Sequence, residues 1–215
     1  MSNIPVNGLV DAYAHSIPTA IEFLLDETGS MKGHLHQTID GYNDFVAEQR
    51  HPDGSCLLTL TKFNTNGLKT PYRDIDIQMV PAMTPKTFAP SGWTNLRDAI
   101  LDRLNSLEQR LAAWDEMPRV LFVVMTDGED TCSTSSTQEV ATKIRAAIAT
   151  GWTCVFLGAD QNANQIGGTL GFQPGNIRSF ASSSMRSTMH ELSHATTAFR
   201  ASATPQSAFF SATAN

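Results

Sequence analysis

The sequence predicts an α/β protein of the doubly wound kind. Three observations predict it. Short apolar runs of strand length alternate with longer segments of helical period through most of the 215 residues. Val120–Met125 is apolar without alternation, as a parallel strand covered on both faces should be. Two such runs end in carboxylates, Ile21–Asp26 within IEFLLDETGSM and Val120–Met125 before Thr126-Asp127-Gly128.

Composition sets the outer limits. A hydrophobic fraction of 41% with 17% charged residues is that of an ordinary globular chain. A net charge of −6 excludes a general nucleic-acid binder, which needs a basic footprint. No apolar stretch reaches the ~18–20 residues of a membrane span. The first residues, MSNIPVNGLVDAY, carry no basic n-region of a secretory signal. Three scattered cysteines fit a reducing, cytoplasmic setting; Cys56 and Cys154 fall in apolar runs, and Cys132 reads as a free loop thiol.

In order, residues 1–19 form an N-terminal arm, 20–202 the domain and 203–215 a tail with Pro205 and the Phe209-Phe210 pair. The first strand is Ile21–Asp26. A helix from about Ser30 to Gln49 carries Leu35, Ile39, Tyr42 and Val46 on one face, with His34, His36 and Gly41 off that stripe. Cys56–Phe63 is a strand, and Asn66-Gly67 a hairpin turn. The next strand alternates Ile75, Ile77 and Met79 against Asp74, Asp76 and Gln78, as an antiparallel edge strand does. A long Pro-containing connection, 81–93, leads to a helix with the stripe Leu96, Ile100, Leu104, Leu107, Leu111 and Trp114. After Val120–Met125, Ser136 and Glu139 have capping-box spacing and open a helix with Val140, Ile144 and Ile148, which Gly151 ends. Thr153–Leu157 is a strand, Gln161–Leu170 a short helix, Asn176–Ala181 a weaker strand and Ser184–Ala201 the last helix. No internal repeat is present.

The chemistry gathers at strand ends. Asp26, Thr28 and Ser30 follow the first strand, Thr94 precedes the long helix, and Asp127 follows the fourth strand. Carboxylates and hydroxyls without thiolates suit a hard cation such as Mg²⁺. These pieces, DETGS, a Thr before a helix, and TDG after a strand, resemble the von Willebrand factor A family and its metal-ion-dependent adhesion site, whose pattern is D-x-S-x-S, a Thr and an Asp. Thr28 stands where Ser is more frequent and keeps the hydroxyl. The resemblance covers about residues 20 to 200.

It implies a six-stranded, mostly parallel Rossmann-like sheet of order 3-2-1-4-5-6, with the third strand antiparallel at the edge. In that order the carboxyl ends of strands one and four open a crevice, bringing the five oxygen-bearing side chains to one hollow. The resemblance further implies Mg²⁺, with Mn²⁺ or Ca²⁺ as substitutes, and capture of a protein partner through an acidic side chain. Stand-alone family members resemble bacterial and phage adaptors, some working with ring ATPases. Function is therefore expected to be coordination and not turnover. Trp93 and Glu129 are the candidate partner-contact residues; Glu27, Glu129 and Asp130 on the same rim read otherwise as solvated carboxylates.

Two other readings remain. The fold could serve structurally, as an assembly or virion component without metal-dependent binding. His190-Glu191-Leu192-Ser193-His194 also matches H-E-x-x-H, the zinc-peptidase pattern. Residues 195–215, however, hold no His, Asp or Glu as a third ligand. Met185, Met189, Leu192, Thr196 and Phe199 form that helix's apolar stripe, so His190 and His194 should face away from the core.

Overall fold

The computed structural model describes residues 17–159, 162–181, 184–202 and 208–210. The expected arm lies outside them up to residue 16, as do 203–207 and 211–215 of the tail. Six strands form one sheet: β1 (Thr19–Asp26), β2 (Cys56–Asn64), β3 (Gly67–Asp76), β4 (Arg119–Thr126), β5 (Thr153–Ala159) and β6 (Ile177–Phe180). Their spatial order is β3-β2-β1-β4-β5-β6. Only β3 runs antiparallel, at the edge. The helices are α1 (Leu35–Gln49), α2 (Leu96–Leu111), α3 (Thr137–Ala149), α4 (Ala163–Thr169) and α5 (Met185–Ala201).

Alternation along the central strands divides the interior into two layers. Ile21, Phe23 and Leu25 of β1, with Leu121, Val123 and Met125 of β4, pack against α1 and α5. Leu24, Val120, Phe122 and Val124 face α2 and α3 on the other side. Burial on both faces explains why β4 reads as a continuous apolar run. The one acid inside β1, Glu22, lies against α2 and pairs with Arg110 at 2.6 Å; burial nevertheless raises its pKa above the usual carboxylate range.

Several boundaries differ from expectation for local reasons. The first helix is not α-helical from Ser30: Gly29–His34 is a 3-10 turn, with Met31 N–H donating to Thr28 O at 3.2 Å, and α1 starts at Leu35. The edge strand stops at Asp76, whose side chain accepts from Gln78 N–H and closes Ile77–Met79 into a 3-10 turn. Ile77 is therefore buried while Met79 is 71% exposed, and the alternation expected across 75–79 fails at its second half. Trp114 lies past the end of α2, its N–H donating to Leu111 O, and still packs on the core. The chain enters β1 at Thr19, two residues before the expected strand, because Thr19 N–H finds Ser55 O at 2.9 Å. The aromatic pair of the tail docks: Phe209 and Phe210 are buried, and Phe209 N–H donates to Asn176 Oδ1 at 2.9 Å.

Candidate metal centre

β1 is flanked by β2 on one side and β4 on the other, with Leu25 opposite Met125. The chain winds outward through β2 and β3 in one direction and through β5 and β6 in the other. A crevice opens at such a reversal, at the strands' carboxyl ends. Asp26 is the last residue of β1, and Asp127 follows the last residue of β4.

All five candidate side chains come together there. Ser30 Oγ donates to Asp127 Oδ1 at 2.6 Å and lies 3.1 Å from Thr28 Oγ1. Thr94 Oγ1 donates to Thr28 Oγ1 at 3.4 Å. Asp26 accepts from Thr28 N–H at 2.7 Å through Oδ1 and from Thr126 Oγ1 at 2.6 Å through Oδ2. Thr28 is extended and leads into the 3-10 turn that carries Ser30, and the two hydroxyls meet where the strand gives way to the turn. Thr94 is held by a second clasp: its N–H donates to Thr131 Oγ1 at 3.1 Å, and its carbonyl accepts from Thr131 N–H at 2.9 Å. Asp26, Thr28 and Thr94 are buried, while Ser30 is exposed and opens the group to solvent.

Electrostatics favours a cation. Burial pushes the Asp26 carboxyl up to about 6; hydrogen bonds from Thr126 and Thr28 oppose the shift and the Asp127 charge adds to it. Two carboxylates and three hydroxyls fit an oxygen-preferring dication. Among the described residues no cluster of three or more His, Cys, Asp or Glu could hold a metal ion. Three of the five candidate donors here, Thr28, Ser30 and Thr94, are neutral hydroxyls. An ion held by neutral donors keeps more of its charge for an external ligand.

Beside these side chains lies an open hollow of about 590 Å³, lined by Thr28, Ser30, Trp93, Thr94, Glu129 and Thr131 among others. Trp93 is 71% exposed. Its backbone is pinned to the β2–β3 hairpin, with N–H donating to Thr65 Oγ1 at 3.1 Å and its carbonyl accepting from Thr65 N–H at 3.0 Å. Glu129 is exposed on the same rim.

The other rim carboxylates are not solvated. Glu27 is 2% exposed and accepts from Lys62 Nζ at 2.7 Å and from Ala89 N–H at 2.9 Å. Asp130 accepts from Arg97 N–H at 2.8 Å and from Ser133 Oγ at 2.5 Å, capping the start of α2. Sequence reasoning also passed over His34, whose Nε2 stands 3.6 Å from Asp127 Oδ2 and whose ring meets Phe180 edge-on. No local signal marked it, because Ser30 and His34 share a 3-10 turn in which a spacing of four does not place side chains on one face.

On α5, His190 and His194 are exposed, and Glu191 pairs with Arg178 at 3.3 Å. The stripe Met185, Met189, Leu192, Thr196 and Phe199 is buried.

A doubly wound sheet of this order, with hydroxyls and carboxylates converging at the switch point, defines the von Willebrand factor A fold, and the chain has that fold. Solved structures agree. Proximal thread matrix protein 1 from the mussel byssus superposes with a TM-score of 0.60 at 18% identity, over 81% of this chain and 47% of that one. Another structure of it, with zinc occupying the metal-ion-dependent adhesion site, gives 0.55 at 16% identity, over 81% of this chain and 47% of that one. Manganese-loaded TRAP protein of Plasmodium vivax gives 0.57 at 17% identity, over 81% of this chain and 72% of that one. A von Willebrand factor type A protein from Catenulispora acidiphila gives 0.56 at 11% identity, over 85% of this chain and 43% of that one. The chain thus spans about half the length of the mussel protein. No protein-family model and no curated protein matches the sequence. No described helix is long and apolar enough to cross a membrane.

Proposed function

We propose that this domain binds another protein through a divalent cation. Asp26, Thr28, Ser30, Thr94 and Asp127 would hold the ion, Mg²⁺ first, with Mn²⁺ and Ca²⁺ as oxygen-seeking substitutes. The ion would supply an electrophilic position for an acidic side chain of the partner. The carrying observation is the Ser30–Asp127 contact, 2.6 Å across 97 residues of sequence, at the mouth of an open hollow. The metal-loaded mussel and Plasmodium structures of the same fold support the reading.

The chain's own residues divide the work. Asp26, with both oxygens already engaged, orients Thr28 and adds negative charge from behind. Ser30 lines the opening, and Asp127 holds its hydroxyl from behind at 2.6 Å. Trp93, with a pinned backbone and a free indole, offers the partner an apolar contact, and Glu129 a polar one. Three free thiols support a reducing, cytoplasmic setting. On this reading the partner offers an acidic group and its name stays open; no covalent chemistry is assigned.

Affinity capture from cell extract, with Mg²⁺ or with chelator, tests the proposal. Partner should be captured only with Mg²⁺, and Ser30→Ala and Asp127→Ala should each lower capture at least about tenfold with unchanged circular dichroism. Trp93→Ala should weaken binding by about 2 kcal/mol, as loss of an aromatic anchor does. Capture that persists in chelator, or in a folded Asp127→Ala protein, would refute the mechanism and favour an assembly role without metal.

A further inference from the structure

The motif left over by that reading is the histidine pair on α5. His190 and His194 lie one turn apart on the solvent side of the helix. Their Nε2 atoms face each other at 3.1 Å, with ring centroids 4.3 Å apart. Two imidazole nitrogens bound to one ion, each at its usual ~2.0–2.1 Å and at ordinary coordination angles, stand about 2.9–3.4 Å apart. The observed separation is thus the bite that a chelated transition-metal ion requires, already set before an ion arrives.

We propose that His190 and His194 form a surface bidentate site for a borderline transition-metal ion of the Zn²⁺, Ni²⁺ or Cu²⁺ class, separate from the oxygen-lined hollow at the sheet's carboxyl end. Imidazole nitrogen prefers these ions over Mg²⁺ and Ca²⁺. The site asks little of the fold. Which ring donates in the free pair depends on the tautomer; metal binding needs both rings neutral with the proton on Nδ1. Glu48 of α1 approaches, its Oε1 4.0 Å from His190 Nε2, and supplies negative charge beside the ion without closing a three-residue cage. Asp44 and Arg186 nearby pair with each other at 2.8 Å and largely cancel. Water completes the coordination.

The same geometry separates this site from a zinc peptidase. Glu191, the general base of H-E-x-x-H, is drawn to Arg178 at 3.3 Å. The pair lies on an outer helix face and, among the described residues, no third His, Cys, Asp or Glu completes a metal cage with it, so the proposed site binds and does not hydrolyse.

Calorimetric titration of untagged full chain with Zn²⁺ tests this, with Mg²⁺ in large excess to hold the hollow. Cys132→Ser serves as the background, because Cys132 is exposed and an exposed thiol competes for zinc. The expected result is one equivalent bound, roughly 100-fold weaker in His194→Ala, where only one ligand of the chelate remains. Asp127→Ala should leave that affinity unchanged. The two imidazole C–H resonances should shift together on adding Zn²⁺, a readout that does not depend on partner binding. Equal zinc affinity in His194→Ala and its parent would overturn the site, and so would its loss in Asp127→Ala.

Discussion

Glu27 shows what a single side chain does for the candidate site without touching it. It follows Asp26 yet points the other way, into a dry pocket where Lys62 Nζ and Ala89 N–H meet it. Its carbonyl accepts from Ser91 N–H at 2.9 Å and from Asn64 Nδ2 at 3.2 Å. Two of these bonds, from Ala89 and Ser91, fasten the 87–93 connection, which delivers Trp93 and Thr94, to the end of β1, and the two from Lys62 and Asn64 tie Glu27 to β2. Breaking a buried pair strands its partner's charge, at a cost of about 3–5 kcal/mol. Glu27→Ala should therefore lower stability by about that amount in denaturant unfolding, whereas Glu129→Ala, an exposed change on the same rim, should fall within about 0.5 kcal/mol. Equal effects would mean that the Lys62 contact contributes nothing. In sequence the two glutamates look alike, both acids beside a site motif. What separates them is Lys62, which lies 35 residues away and meets Glu27 only through the β1–β2 pairing.

At the scale of elements, legibility followed the range of the forces. The capping box of α3 was readable because Ser136 and Glu139 are three residues apart, and both its bonds are present. The stripe of α2 was readable because one face sees one core. The end of β3 was not, since it depends on Asp76 choosing Gln78 N–H over continued pairing. Helix ends written by glycine are also local. After α4, Gly171 takes φ +93; its N–H donates to Gly168 O at 3.1 Å and Phe172 N–H to Gly167 O at 3.0 Å. A methyl group at Gly171 would meet Ala141 O at 2.9 Å and Ala141 Cα at 3.0 Å, backbone atoms of α3 that cannot step aside. Gly171→Ala should thus cost roughly 2–4 kcal/mol, the sum of left-handed strain and overpacking. Gly33→Ala is the control, having nothing within 4 Å of its added carbon; thermal melts of the two variants compare them directly.

For the whole molecule, the five candidate residues were legible one by one, and the fold resemblance supplied the expectation that they converge. The closing of the α1–α5 side was not legible, because nothing local marks what the tail does. Phe209 and Phe210 complete the core that α1 and α5 share, packing on each other at 5.0 Å, while Phe209 lies 6.2 Å from Phe199. Arg178 of β6 covers the Phe210 ring at 4.1 Å, and Asn176 binds the Phe209 backbone. The pair thus joins the outermost parallel strand to the last helix, on the far side of the sheet from α2 and α3. Phe209→Ala should lower unfolding free energy by about 3–5 kcal/mol, the usual cost of emptying an aromatic site. Because Phe209 belongs to the packing and not to the hollow, the variant should keep the rise in melting temperature that Mg²⁺ would induce at the proposed site and that Asp127→Ala should lose. That rise follows from mass action, about 2.7 kcal/mol at a hundredfold excess over the dissociation constant. A Phe209→Ala protein of unchanged stability would show that the tail rests on the domain without holding it. One that lost the Mg²⁺ response would tie the far layer to the metal centre.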